Sequence, residues 1–236
     1  MGVTLEVCVD SAEALAEAVA GGADRIEMCA ALALGGLTPS AGLIAAAARC
    51  DVPVVAMIRP RAGDFVWSGA EVAMMEAEIA AIRGAGLAGV VLGASLPDGR
   101  LDVPVLWRLV TAARGMELVL HRCIDLAPDM EEALEQAVGL GFHRVLTSGG
   151  AVTAEAGAAR IASLLARAEG RIAVMPGSGV TPANAQLFKG LGIAEIHASC
   201  SASVPVAGRA VEMGFAPPVL RRTDAEAVRA LRRALE

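Results

Sequence analysis

Four segments of this sequence run from a glycine through six residues to a small or polar one: Gly22 to Cys29, Gly86 to Gly93, Gly141 to Ser148 and Gly192 to Ser199. Glycine suits the left-handed position that closes a helix, and the residues after it read as a short buried strand. Each segment therefore predicts a helix-to-strand junction. The junctions recur roughly 50 to 65 residues apart, which leaves room for a further strand and helix between neighbours. Four double units make eight βα units, and the 236 residues approach the roughly 250 usual for a (β/α)8 barrel. The expectation is an α/β protein with one TIM-type barrel domain. Its core spans about residues 3–204, with residues 205–236 as a C-terminal extension and final helix.

Composition supports a parallel sheet: 55% of residues are apolar but only 3% aromatic, so Ala, Val, Leu, Ile and Met must build the core. Such residues suit strands buried on both faces. The net charge of -6 and the lack of any basic run argue against nucleic acid and an anionic membrane surface as partners. No basic segment with an apolar run precedes the first strand, and no uninterrupted apolar stretch reaches spanning length, so the chain reads as a soluble cytoplasmic protein. Its cysteines, Cys8, Cys29, Cys50, Cys123 and Cys200, are odd in number and read as reduced thiols.

The strands predicted in order are Leu5 to Asp10, the segment after Gly22, Val54 to Arg59, Gly89 to Gly93, Glu117 to His121, Arg144 to Thr147, Ile172 to Met175 and Glu195 to Ala198. Ser11 caps the first helix, while Thr38-Pro39 and Thr181-Pro182 have the threonine cap and first-turn proline of two others. Ser68 with Glu71 and Thr223 with Glu226 have capping-box spacing, and a helix covers about Asp129 to Leu140.

Alternation along the strands then sorts side chains by face. Glu6, Cys8 and Asp10 share one face of the first strand. Arg25, Glu27 and Cys29 share a face of the second, and Glu195, His197 and Ser199 a face of the eighth. The opposite faces carry Ile26, Met28, Ile196 and Ala198, which suit packing against outer helices, so the polar set should look into the barrel. Active sites of such barrels sit at the C-terminal strand ends. Arg25, Arg144 and Glu195, at strand starts, read as an ionic floor. Glu6, Glu27, Arg59, His121 and His197 are the acid, base and anion-positioning candidates, with Asp125 placed to orient His121.

Two loops suggest an anion site. Arg59 and Arg61 flank a proline just after the third strand, where guanidiniums suit a carboxylate or phosphate or else pair with Asp64 or an interior glutamate to hold the loop. After the seventh strand, Gly177, Ser178 and Gly179 form a turn toward an expected helix start, with Ser199 on the next strand.

The segments Leu5–Ser11, Gly22–Cys29, Gly35–Ser40 and Met57–Arg61 resemble the CutC family of copper-homeostasis proteins. The similarity continues through Gly63-Asp64-Phe65, His121-Arg122 with Asp125, Arg144–Gly149, Pro176–Val180 and His197–Ser199. It departs at Ala62, Trp67, Cys123-Ile124, Ser178 and Ser201, the last standing where arginine is common. The resemblance implies a TIM-type barrel, usually a homo-oligomer, located in the cytoplasm and linked to copper handling. Cys8 and Cys29 match the family's cysteines, and two soft thiolates on neighbouring strands can hold Cu(I). Two functions stay open. One is copper binding through Cys8 and Cys29. The other is an enzyme working by acid–base chemistry on a small anionic ligand, phosphorylated or sugar-like.

Overall fold

Gly22, Gly86, Gly141 and Gly192 all lie in the left-handed region, with φ between +80° and +93°. Each follows a helix and leads into a strand in the computed structural model, which describes residues 2–236. The strands are β1 (Thr4–Val9), β2 (Arg25–Met28), β3 (Val54–Met57), β4 (Gly89–Leu92), β5 (Glu117–Leu120), β6 (Arg144–Thr147), β7 (Ala173–Pro176) and β8 (Glu195–Ala198). They alternate with helices α1 (Ala12–Gly21), α2 (Ala41–Ala47), α3 (Gly69–Gly84), α4 (Val103–Ala112), α5 (Met130–Leu140), α6 (Ala158–Ala168) and α7 (Ala185–Gly190). All sheet neighbours from β1 to β7 pair in parallel, and β8 joins the other edge of β1. The seam falls between β7 and β8, which meet without a ladder: a Cβ on Gly177 would sit 3.4 Å from that of His197.

The expected extension has internal structure. An antiparallel hairpin of β9 (Ser201–Pro205) and β10 (Val219–Thr223), with the short α8 (Arg209–Glu212) at its turn, follows β8. Helix α9 (Ala225–Leu235) then packs against α1 and α7, taking the place of the helix after β8. Its approach depends on Gly21, where an added Cβ would lie 2.5 Å from that of Val228.

Strand alternation produces two apolar regions. Leu5, Val7, Val9, Ile26, Met28 and Ile196 face outward into the larger core under the helices. Cys29, Val55, Met57, Val91, Val119, Leu146 and Met175 fill the barrel interior. Such buried aliphatic side chains each stabilise the fold by about 1.5–3 kcal/mol.

Ser11 caps α1, Asp129 caps α5, and Ser68 with Glu71 forms a complete capping box on α3. Three other helix starts differ from expectation. Thr38 exchanges bonds with Arg59, donating its N–H to the Arg59 carbonyl and accepting the Arg59 N–H on Oγ1, while its hydroxyl donates to Glu78. That leaves Ser40 to cap α2. Thr181 donates its N–H to the Asn184 side chain, and α7 begins only at Ala185. Thr223 ends β10, and Asp224 caps α9. The seventh strand also lies one residue later than predicted, at Ala173–Pro176.

Candidate functional site

Register brings the polar interior together. Glu6 on β1 lies beside Arg25 on β2 and His197 on β8, and Cys8 lies beside Glu27. Because these neighbours also share the inward face, their side chains meet inside the barrel. At the bottom, Arg25 pairs with Glu6 and Glu195, and Arg144 pairs with Glu195 at 3.0 Å and Glu117 at 2.7 Å. This is the ionic floor expected of the strand starts. Glu6 is completely buried. Burial alone would raise its pKa, but the hydrogen bond from His197 and the charges of Arg25 and His197 outweigh that and bring it to about 2.

Both Glu6 oxygens are committed, Oε2 to Arg25 and Oε1 to His197 Nδ1 at 2.8 Å. Glu6 is therefore not the free acid or base that the sequence suggested; it orients His197. With Nδ1 so held, Nε2 faces Glu27 Oε2 at 3.8 Å. One ligand atom each from Cys8, Glu27 and His197 lies within 4.8 Å of the others. Burial first raises the Glu27 pKa, and Glu27 Oε1 has no partner among the described residues. His197 is raised despite its burial, by Cys8 and Glu27.

Cys29 stands beside this group, its Sγ 3.5 Å from Glu27 Oε2. Burial, then the charge of Glu27, push its thiol well above the ordinary range. The set gathered by the barrel is thus a thiol, a carboxylate and an imidazole, whereas the sequence suggested Cys8 with Cys29. The partner missed was His197 as a neighbour of Cys8, although strand parity had already placed both inside.

Arg59 and His121 form a second group above. Phe65 lies between them, 5.1 Å from the Arg59 guanidinium carbon and 4.5 Å from the His121 ring. Cys29 links the groups: Arg59 bonds the Gly36 carbonyl, and a Cβ on Gly36 would meet Cys29 Sγ at 3.1 Å. Ser95 joins this group through its N–H, which donates to the Phe65 carbonyl at 2.8 Å. Continuing the alternation of β4 two residues past Gly93 would have found it.

Several expected site residues serve the loops instead. Asp125 does not orient His121; it accepts from Thr147 Oγ1, from Ser148 and from the Gly150 N–H, and pairs with Arg122 at 2.8 Å. Arg61 gives its donors to Glu71, Asp64 and the Val66 carbonyl, and stacks on Trp67. The loop-holding alternative is what Arg61 does. Ser178 donates to the Val152 carbonyl, and the Gly179 carbonyl accepts from Asn184. With α7 starting at Ala185 and only six residues long, no helix start backs Gly177 and Gly179. Ser199 shares its hydroxyl with Ser201, on which Arg221 of β10 also converges.

These features define a (β/α)8-barrel protein with a buried thiol, carboxylate and imidazole at its centre. The CutC family model matches residues 3–202, and the chain belongs to the CutC family. A CutC family protein of Sinorhizobium medicae is 58% identical over 99% of this chain and 96% of its own. One from Caulobacter vibrioides is 52% identical, covering 98% and 97%. The solved structure of a candidate copper homeostasis protein CutC from Streptococcus agalactiae is 31% identical with a TM-score of 0.79, covering 84% of this chain and 99% of that one. Among the described residues no helix is long and apolar enough to cross a membrane.

Proposed function

We propose that the centre of this barrel takes up Cu(I) as cargo, with Cys8 Sγ and His197 Nε2 as the principal donors and the Glu27 carboxylate on the third side. The observation that carries this reading is the convergence of those three ligand atoms within 4.8 Å, with His197 already held through Nδ1 by Glu6. A thiolate suits Cu(I) over hard cations, and an imidazole complements it. The carboxylate behind the imidazole fixes the ring and strengthens its basicity, as in carboxylate–histidine–metal arrangements. Copper homeostasis in the name of the Streptococcus agalactiae relative agrees with this chemistry.

Anaerobic competition against a chromophoric Cu(I) chelator tests the reading. Cys8→Ser and His197→Gln should each weaken binding strongly, and Glu6→Gln by about 10–100-fold through the lost ring support. Cys29→Ser should matter less than Cys8→Ser. Unchanged Cu(I) affinity in a folded Cys8→Ser, His197→Gln double variant would overturn it.

The line from Glu6 through His197 to Cys8 also favours a second reading, an enzyme whose thiol is activated by an oriented imidazole. Iodoacetamide labelling of the metal-free protein separates the two. Rapid labelling of Cys8 at neutral pH that slows in His197→Gln supports the nucleophile, and an inert Cys8 removes it.

A further inference from the structure

Arg59 is a buried cation with no counter-charge among the described residues. It is 6% exposed, and its bonds go only to neutral backbone carbonyls. Nη1 donates to Leu34 at 2.9 Å and Gly36 at 3.1 Å, and Nη2 to Gly63 at 2.9 Å. Burial and the neighbouring Arg61 lower its pKa, yet a guanidinium starts so high that it keeps its charge. The adjacent Cys29 thiol, pushed well above its ordinary range by burial, offers no anion. A guanidinium has five N–H groups. Three are used here, and the two left are Nε–H, which has no partner, and one on Nη2. Nε and Nη2 form the side-on edge that grips a carboxylate with two parallel bonds.

His121 supplies a matching donor. Its Nδ1 accepts the Cys123 N–H at 3.2 Å, so the ring proton sits on Nε2, which is buried and unpartnered. Burial and then the charge of Arg59 push its pKa down to about 3, so the ring stays neutral. Ser95 Oγ is also buried without a partner. The half-buried Phe65 ring lies against Arg59 and His121, and its carbonyl holds Ser95. Unpartnered buried polar atoms are uncommon and each calls for a reason. Here they cluster at the ends of three consecutive strands, β3, β4 and β5.

We propose that the ends of β3, β4 and β5 form a binding site for a small carboxylate, gripped by Arg59 Nε and Nη2, completed by His121 Nε2–H and Ser95 Oγ, and covered by Phe65. One negative charge neutralises the uncompensated charge of Arg59. A tetrahedral dianion would bring two charges to a single guanidinium and a neutral imidazole, which is unfavourable in a buried site. Entry requires the Phe65 ring to turn aside, while Arg61 and Trp67, bonded to Glu71 and the Gly93 carbonyl, keep the rest of the loop in place. Arg59, Ser95 and His121 are not among the copper donors, so a metal-free test decides this site independently of the copper reading.

The experiment follows arginine Nε–H resonances in 15N-edited spectra of the metal-free protein titrated with acetate, phosphate, sulfate and chloride. The Arg59 signal is assigned by its loss in Arg59→Lys and independently by the loss of the Phe65 ring-current shift in Phe65→Ala. Acetate should shift the Arg59 Nε–H and His121 Nε2–H signals together, more strongly than any of the inorganic anions. Calorimetry should show acetate binding weakened about tenfold or more by Arg59→Lys, the loss of one charge-assisted hydrogen bond. Phe65→Ala leaves all three donors and the loop carbonyl bonds of Arg59 intact, so it should bind acetate at least as well as the parent and serves if Arg59→Lys does not fold. An Arg59 signal unmoved by acetate in both the parent and Phe65→Ala overturns the site, and a stronger response to phosphate or sulfate overturns the carboxylate assignment.

Discussion

Replacing Glu6 with glutamine should cost stability in a pH-dependent way, because the carboxylate is completely buried between Arg25 and His197. Its pKa falls from 4.5 to about 2 on folding. A carboxylate depressed in the native state contributes stability that is present above its unfolded pKa and lost as pH falls through its folded one. Integrated over that shift, the charged form is worth about 3 kcal/mol at pH 7 and about half that at pH 3. Glutamine keeps the shape but cannot titrate, and it leaves Arg25 with Glu195 alone. The difference between parent and Glu6→Gln should therefore be largest near neutrality and shrink by about 2 kcal/mol between pH 7 and pH 3. In thermal unfolding at pH 7, about 3 kcal/mol corresponds to roughly 6–12 °C for a domain of this size. Urea unfolding of both proteins across this pH range measures the change directly. A difference that stays constant from pH 7 to pH 3, or that grows toward acid, would refute the account of Glu6 as a paired carboxylate.

Ser68→Ala removes the capping box of α3 and should lower stability by about 1 kcal/mol in chemical denaturation. Gly157→Ala drives a Cβ into the Ser148 carbonyl oxygen, so overpacking of at least about 1–3 kcal/mol should appear as a reduced denaturation midpoint. Asp125→Ala strands the N–H groups of Ser148 and Gly150 and should cost about 2–3 kcal/mol, yet leave the His121 ring resonances unmoved, since the two side chains do not touch. Gly93→Ala would press its Cβ on Cys123 Sγ and the His121 ring, and should shift those same resonances.

The barrel was legible because its signals are local and repeated. Gly22, Gly86, Gly141 and Gly192 each mark a helix end by a conformation that glycine adopts without strain, and period-two alternation assigned Glu6, Cys8, Glu27 and His197 to the interior. Partner choice was less legible. Thr38 carries a capping sequence, but Arg59 offers its hydroxyl and N–H a pairing between loop and strand end, and Ser40 is available to cap instead. Asp125 follows His121 closely in sequence, yet the 3-10 turn Arg122–Leu126 turns it toward Ser148 on the next strand's loop. Arg61 reads as an anion donor until Glu71, ten residues away, is seen to reach it. In each case the motif named a residue with bonds to make, and a contact distant in sequence decided its partner.

The interior of this barrel divides by sector as well as by height, and this division makes the centre chemically useful. Strands β1, β2 and β8 contribute Glu6, Cys8, Glu27 and His197, while β3 to β7 contribute Val55, Met57, Val91, Val119, Leu146 and Met175 opposite them. An apolar wall facing a polar one keeps the local dielectric low, which strengthens the bond between His197 and Glu6 and penalises any charge left unpaired. The ionic floor below sharpens the effect: Arg25, held between Glu6 and Glu195, keeps Glu6 charged even though it is buried. A charged Glu6 in turn holds the imidazole by Nδ1 and leaves Nε2 directed at Glu27. Residues at the strand starts thus set the state of an imidazole near the strand ends, so if Cys8 and His197 take up Cu(I) as proposed, replacing Arg25 should weaken that uptake without touching either.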